Sequence, residues 1–285
     1  IAQEAGEVDK GITAGERVLK EYPNSAFELK TRYTLSGLYE KVAEFKKAAA
    51  MSESFVAEYD AALKAREAQS KKAKEKKAGP PPVAKKDDTP GAAEDADSKR
   101  AQKAAELKAQ VDAAGEWVAD ALFNAGVWYD GLGESQKAVT AWNTYLARFK
   151  DRKDVPQVAF SIGLVWEKEK KWGDAARAFN RFVEDYGRDS RTAAGQAYLA
   201  RYHELLAYQK MKDVRGQERA QDELVRGWNK LSEGVRKDTA VLNAYGHARF
   251  LALEPTWKRF SDIKFTRVST IRRDLQAKQK EMLRV

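Results

Sequence analysis

Residues 124–186 read NAGVWYDGLGESQKAVTAWNTYLARFKDRKDVPQVAFSIGLVWEKEKKWGDAARAFNRFVEDY, and they state one pattern twice. Gly126 recurs as Gly163, Ala138 as Ala175, Trp142 as Phe179 and Phe149 as Tyr186, each 37 residues on. A fixed period of this length marks stacked units, none of which can bury its apolar face alone. Each copy reads as two helices joined by a short turn. In the first copy Leu122, Ala125, Gly126 and Tyr129 share one face at the 3.6-residue spacing, and Gly133 marks the turn. Ala138, Trp142, Tyr145, Leu146 and Phe149 then form the apolar face of the second helix. Ala159, Ile162, Gly163 and Trp166, followed by Ala175, Phe179, Phe182 and Tyr186, repeat the scheme. Small residues at 126 and 138 let the paired helices approach, and Trp142 fills the groove beside them.

The register extends backwards through LSGLYEKVAEFKKAAAMSESFVAEY, which lays Ser36 on Gly163, Tyr39 on Trp166, Ala48 on Ala175 and Tyr59 on Tyr186. Tyr22 lies 37 residues before Tyr59 and ends the second helix of a further unit. The expected organisation is therefore N-terminal helical repeats over 1–63, an insertion over 64–106, two well-matched repeats over 107–190, and degenerate helical repeats over 191–285. The insertion is rich in Lys, Ala and Pro. Pro80, Pro81 and Pro82 end any helix before them, the flanks can extend helices, and 77–97 reads as a flexible loop. In the C-terminal part, Tyr198, Tyr202, Leu205 and Leu206 share one helix, and Leu224, Trp228 and Leu231 another. Residues 240–265 form a helical pair or one helix kinked at Pro255, and a last helix spans roughly 268–283. Sustained period-2 alternation is absent, so no sheet is expected. The predicted fold is an all-α, right-handed superhelical solenoid of antiparallel helix pairs.

Composition narrows the function classes. The chain has 285 residues, 43% hydrophobic and 33% charged, which suits a thin elongated core. Lys and Arg number 52 against 43 Asp and Glu, a formal charge of +9 that permits an anionic partner without demanding one. No cysteine is present, which excludes disulfides, thiolate metal sites and a cysteine nucleophile. No apolar run approaches the roughly 18–20 residues that cross a bilayer. A start at Ile1 reads as a processed chain or an excised fragment.

These residues resemble the tetratricopeptide repeat. Leu122, Ala125–Gly126, Tyr129, Ala138 and Trp142 match its pattern, as do Ala159, Ile162–Gly163, Trp166, Ala175 and Phe179. The period exceeds the family's usual one, the extra residues falling in KDRKDVP. Units ending in EDY or KEYP are similar to bacterial envelope proteins of the outer-membrane-assembly lipoprotein type. The Lys/Ala/Pro insertion and ARFLALEPTWKRFSDIKF resemble large deltaproteobacterial proteins of the adventurous gliding motility group. That resemblance implies a periplasmic adaptor, associated with the outer membrane, in a multiprotein envelope machine. A cytoplasmic location is the alternative.

Chemistry-bearing motifs are missing. His203 and His247 sit on separate helices and read as surface or groove residues, and ARYHELL lacks the second histidine of a zinc-protease motif. No phosphate-binding glycine loop occurs, and Ser161, Ser190 and Ser232 lack a nucleophile-elbow context. No enzyme, metal or cofactor is expected. The fold itself offers a surface, because first helices of stacked pairs line the concave side of the superhelix. Asn124, Trp128, Asp130 and Glu167 are the residues there that would hold a protein or peptide. The family resemblance implies that an Asn near position 124 holds a ligand backbone, although Ser161 stands at the matching place in the next unit. Trp128 reads equally as a partner contact or as core. Arg272 and Arg273, with Arg267, Lys278 and Lys280, form a basic stripe near the C-terminus. A stripe of this kind would let a cytosolic adaptor contact nucleic acid, the alternative to a protein-binding scaffold. Asp262, Asp274 and Glu281 interrupt it.

Overall fold

The computed structural model describes residues 2–78, 102, 105–264 and 270–283. Its helices are α1 (Ala2–Glu21), α2 (Glu28–Lys41), α3 (Phe45–Ala78), α4 (105–115), α5 (Trp117–Gly131) and α6 (Ser135–Arg148). They continue with α7 (Val155–Lys168), α8 (Trp172–Tyr186), α9 (Gln196–Met211), α10 (Val214–Trp228), α11 (Glu233–Arg236), α12 (Thr239–Asp262) and α13 (Ile271–Met282). No strand occurs among the described residues. The fold is all-helical, built of paired antiparallel helices as the repeat reading expects.

Two compact units divide the chain, Ile1–Lys150 and Asp151–Val285. The division falls between the two matched repeats, which the sequence alone groups as 107–190. In the first unit α1, α2, α3, α5 and α6 pack each on the next; in the second α7 to α10 do so, α10 then receives α12, and α12 carries α13. The insertion begins as helix, because α3 runs on to Ala78. The rest of the segment expected to be a loop lies outside the described residues. Pro255 stands inside α12, which is one helix rather than a pair.

The repeat signature sets the packing. A Cβ on Gly126 would lie 2.1 Å from Trp142 Nε1, and one on Gly163 would lie 2.5 Å from Phe179 Cε1. Only glycine permits these approaches. Ala48, Ala138 and Ala175, equivalent in the repeat register, are all fully buried.

Turns repeat as closely as helices do. Ala43, Gly133, Lys170 and Lys212 all have φ between 58° and 74°, the left-handed conformation that closes a helix. At each, the next amide donates back across the turn to an aromatic residue's carbonyl: Glu44 to Tyr39, Glu134 to Tyr129, Lys171 to Trp166 and Asp213 to Tyr208. A cation lies over each of those rings, Lys47, Lys137, Lys171 and Arg219 respectively, 4.8–5.6 Å from the ring centre. A Cβ on Gly133 would meet nothing within 4 Å, so Gly133→Ala tests backbone conformation alone. It is expected to lower stability by about 1 kcal/mol in urea unfolding, whereas Lys170→Gly at the equivalent position raises it by less than that.

A second device joins successive pairs in the first unit. The Tyr39 hydroxyl donates to Glu16 on α1, and the Tyr129 hydroxyl donates to Glu53 on α3 at 2.6 Å. Burial, and then the hydrogen bond to Glu16, push the Tyr39 phenol up to about 12; burial and Glu53 push Tyr129 higher still. Glu16 and Glu53 are themselves 37 residues apart.

Candidate functional site

Helical geometry leaves one open stripe on each first helix of the N-terminal unit. On α2 it comprises Lys30, Thr34, Gly37 and Lys41, opposite buried Leu35, Ser36 and Tyr39. On α5 and its N-cap it comprises Glu116, Asp120, Asn124, Val127 and Gly131, opposite buried Leu122, Ala125, Gly126 and Tyr129. Tyr33 of α2 stacks on Trp117 of α5, ring centres 5.1 Å apart and 10° from parallel, and so holds the two stripes beside one another. Asn124 is half-buried and its amide makes no hydrogen bond among the described residues. Val127 is 45% exposed despite its apolar side chain. Within the second unit α7 shows Ser161 and Leu164 at the same two positions, with Leu164 38% exposed.

Three residues named from sequence have other duties. Trp128 is buried at 7% exposure in the core with Leu35, Tyr39, Ala48 and Ala49, so of its two readings the structure selects core packing. The reason is the preceding pair: α2 and α3 pack over the flank of α5 that an isolated helix would leave open. Glu167 lies inside the second unit, where its Oε2 meets His203 Nδ1 at 2.8 Å. Asp130 is half-buried and already partnered.

Neither histidine is a bare surface residue. His203 is stacked on Phe179 with ring centres 4.9 Å apart, and Tyr202 meets His247 Nδ1 at 3.0 Å. Both serve to join helices. Arg272 and Arg273 are exposed on α13, Arg273 Nε lying 3.9 Å from Asp274. Glu281, one of the carboxylates that interrupt the stripe, pairs with Arg259 of α12 at 3.2 Å; Arg267 lies outside the described residues.

Sequence reasoning missed a buried charge network on α9. Glu204 is fully buried, accepts from Arg201, and lies 3.4 Å from Arg219 Nη2. Arg201 also reaches Asn180 on α8 at 3.0 Å and Glu223 on α10 at 2.8 Å. Burial and then the charge of Glu204 push the Tyr208 phenol up. Every member is satisfied by another part of the fold, so the network fastens α8, α9 and α10 together. Among the described residues no group of three or more His, Asp or Glu could hold a metal ion.

The tetratricopeptide repeat family model matches residues 120–151, which takes in most of α5, the turn and all of α6. That stretch carries the Asn124–Val127 stripe and the Gly126–Trp142 contact. No curated protein matches the chain. The fold and the family match together define a region of tetratricopeptide type, a class whose helix pairs present surface. No described helix is long and apolar enough to cross a membrane.

Proposed function

We propose that the protein is a noncatalytic scaffold that binds one or more proteins on the α2–α5 face, within a periplasmic complex of a bacterial envelope. The open stripe carries the reading. An unpartnered amide at Asn124 beside a solvent-facing Val127 supplies a hydrogen-bonding group and an apolar contact on a rigid support. The Tyr33–Trp117 stack and the packed core beneath fix both. Affinity would come from apolar anchors, and selectivity from Lys30, Lys41, Asp120 and Glu116 at the rim. The envelope setting is supported by the likeness of the repeat endings to envelope proteins of the outer-membrane-assembly lipoprotein type, and of the insertion and ARFLALEPTWKRFSDIKF to large deltaproteobacterial proteins of the adventurous gliding motility group.

A crosslinking pull-down with the whole chain as bait, from a membrane-containing lysate, tests this. Asn124→Ala with Val127→Asp is expected to lose a discrete partner band while the circular dichroism stays unchanged. Retention of the same bands would remove the α2–α5 face from the account. Recovery of nuclease-sensitive, salt-sensitive material instead would favour nucleic acid as the partner.

A further inference from the structure

The second unit ends in a helix with two apolar sides. Val241, Ala244, Ala248 and Leu251 of α12 are buried in a core with Tyr198, Leu205 and Leu224. Away from that face, Phe250, Leu253, Trp257 and Phe260 follow one another at three- and four-residue spacing, the pattern of a helix–helix seam. Its last member is covered, Lys278 of α13 lying over the Phe260 ring at 4.4 Å with Arg259 paired to Glu281 beside it, and Leu253 is half-buried. Phe250 and Trp257 are each 63% exposed. On α13 itself, Ile271, Leu275 and Met282 share a second exposed stripe.

Charge decides what fits. Among the described residues from 249 to 283, Arg249, Lys258, Lys264, Arg272 and Lys280 have no side-chain partner. On the acidic side, Asp274 is paired with Arg273 and Glu281 with Arg259, which leaves Glu254 and Asp262 to oppose those five cations. The seam is narrow, spanning about 80° of the helix circumference at ~100° per residue, with Glu254 at its edge. A helix lying in a bilayer surface needs a broad apolar face. Arg249 borders the narrow seam on one side and Glu254 on the other, and the excess of unpartnered cations over carboxylates at this end of the unit fits another helix whose own seam is flanked by carboxylates.

We propose that the Phe250–Leu253–Trp257 seam of α12, with α13 as its basic rim, docks an acidic amphipathic helix of a partner protein. The helix would continue the stacking in which α8 receives α9 and α10 receives α12. This rests on the scaffold reading and adds a second surface to it, in the other unit, with the chemistry of its occupant.

The test uses the full chain and a fluorescently labelled three-heptad peptide with Leu at the seam positions and Glu flanking them, followed by anisotropy. A peptide with Lys in place of Glu is the control. The acidic peptide is expected to bind at least about tenfold more tightly than the basic one. Phe250→Ala with Trp257→Ala is expected to weaken it about tenfold or more, and Lys258→Glu with Arg272→Glu by a similar factor. All four side chains are solvent-exposed, so the helical signal should be unchanged. Asn124→Ala with Val127→Asp should leave peptide binding intact. Absence of acidic-peptide binding, equal binding of the Lys peptide, or indifference to Phe250→Ala with Trp257→Ala would overturn the proposal. Preferential cosedimentation with phosphatidylserine vesicles would do so too, and would assign the face to a membrane. If the peptide fails while capture through the α2–α5 face stands, only the α12 seam falls; if both fail, the scaffold reading falls with it.

Discussion

Arg201→Met is expected to cost the second unit about 3–5 kcal/mol, among the largest losses a single substitution can cause here. Glu204 has no exposed surface, and its nearest cation after Arg201 is the Arg219 guanidinium at 3.4 Å, itself more than half exposed. Removing Arg201 leaves a buried carboxylate without its main counterion and unties Asn180 and Glu223 from α9. Removing both charges is a different matter, because an apolar pair of similar volume needs no counterion. Arg201→Met with Glu204→Leu is therefore expected to recover most of the loss, giving a strongly favourable coupling in a double-mutant cycle. Urea unfolding measures the cycle, and hydrogen exchange should show the lost protection concentrated in α9 and α10. Equal and additive losses would mean that the network contributes nothing beyond packing.

The other large effect lies at the repeat signature. Phe179 is fully buried, with Phe160 edge-on at 5.4 Å and His203 stacked on its ring. Phe179→Ala is expected to cost about 3–5 kcal/mol from lost transfer energy and the cavity left behind. Gly163→Ala alone is also destabilising, by about 1–3 kcal/mol, because its Cβ would sit 2.5–2.7 Å from three atoms of that ring. The two substitutions together reverse the second effect. With the ring gone, the new methyl enters vacated space, and alanine is worth about 1 kcal/mol more than glycine in a helix. Gly163→Ala should therefore stabilise the Phe179→Ala protein. Thermal and urea unfolding of the four proteins check this, and a loss on adding Gly163→Ala to that background would show that the glycine serves something other than the ring. Gly126 and Trp142 should behave in parallel.

What the sequence made legible follows from the range of the interactions. Gly126 with Trp142, and Gly163 with Phe179, lie within single helix pairs, so the 37-residue period displays both partners side by side. Trp128 was ambiguous because its cover comes from α2 and α3, across an insertion that hides the register. Glu204 sits beside Leu205 and Leu206 in an apolar run; Arg201 is its neighbour one turn back on α9, but Arg219, Asn180 and Glu223, which complete the network, lie on other helices. The Tyr–Glu clasps had a trace in sequence, since Glu16 and Glu53 obey the period, but an acidic residue on a helix surface looks solvated until the neighbouring helix is in place. On α12 the outward seam was written in the spacing of Phe250, Leu253, Trp257 and Phe260. Only the packing of Val241, Ala244, Ala248 and Leu251 shows that this seam is not the core-facing one.

The most direct measurement places a photocrosslinking amino acid at Val127 on the open stripe of α5, and separately at Thr140, exposed on α6. Both proteins would be irradiated in cells of the source organism. A scaffold that binds through its first-helix face predicts one discrete protein adduct from position 127 and none from 140. The same adducts from both positions, or none from 127, would contradict it.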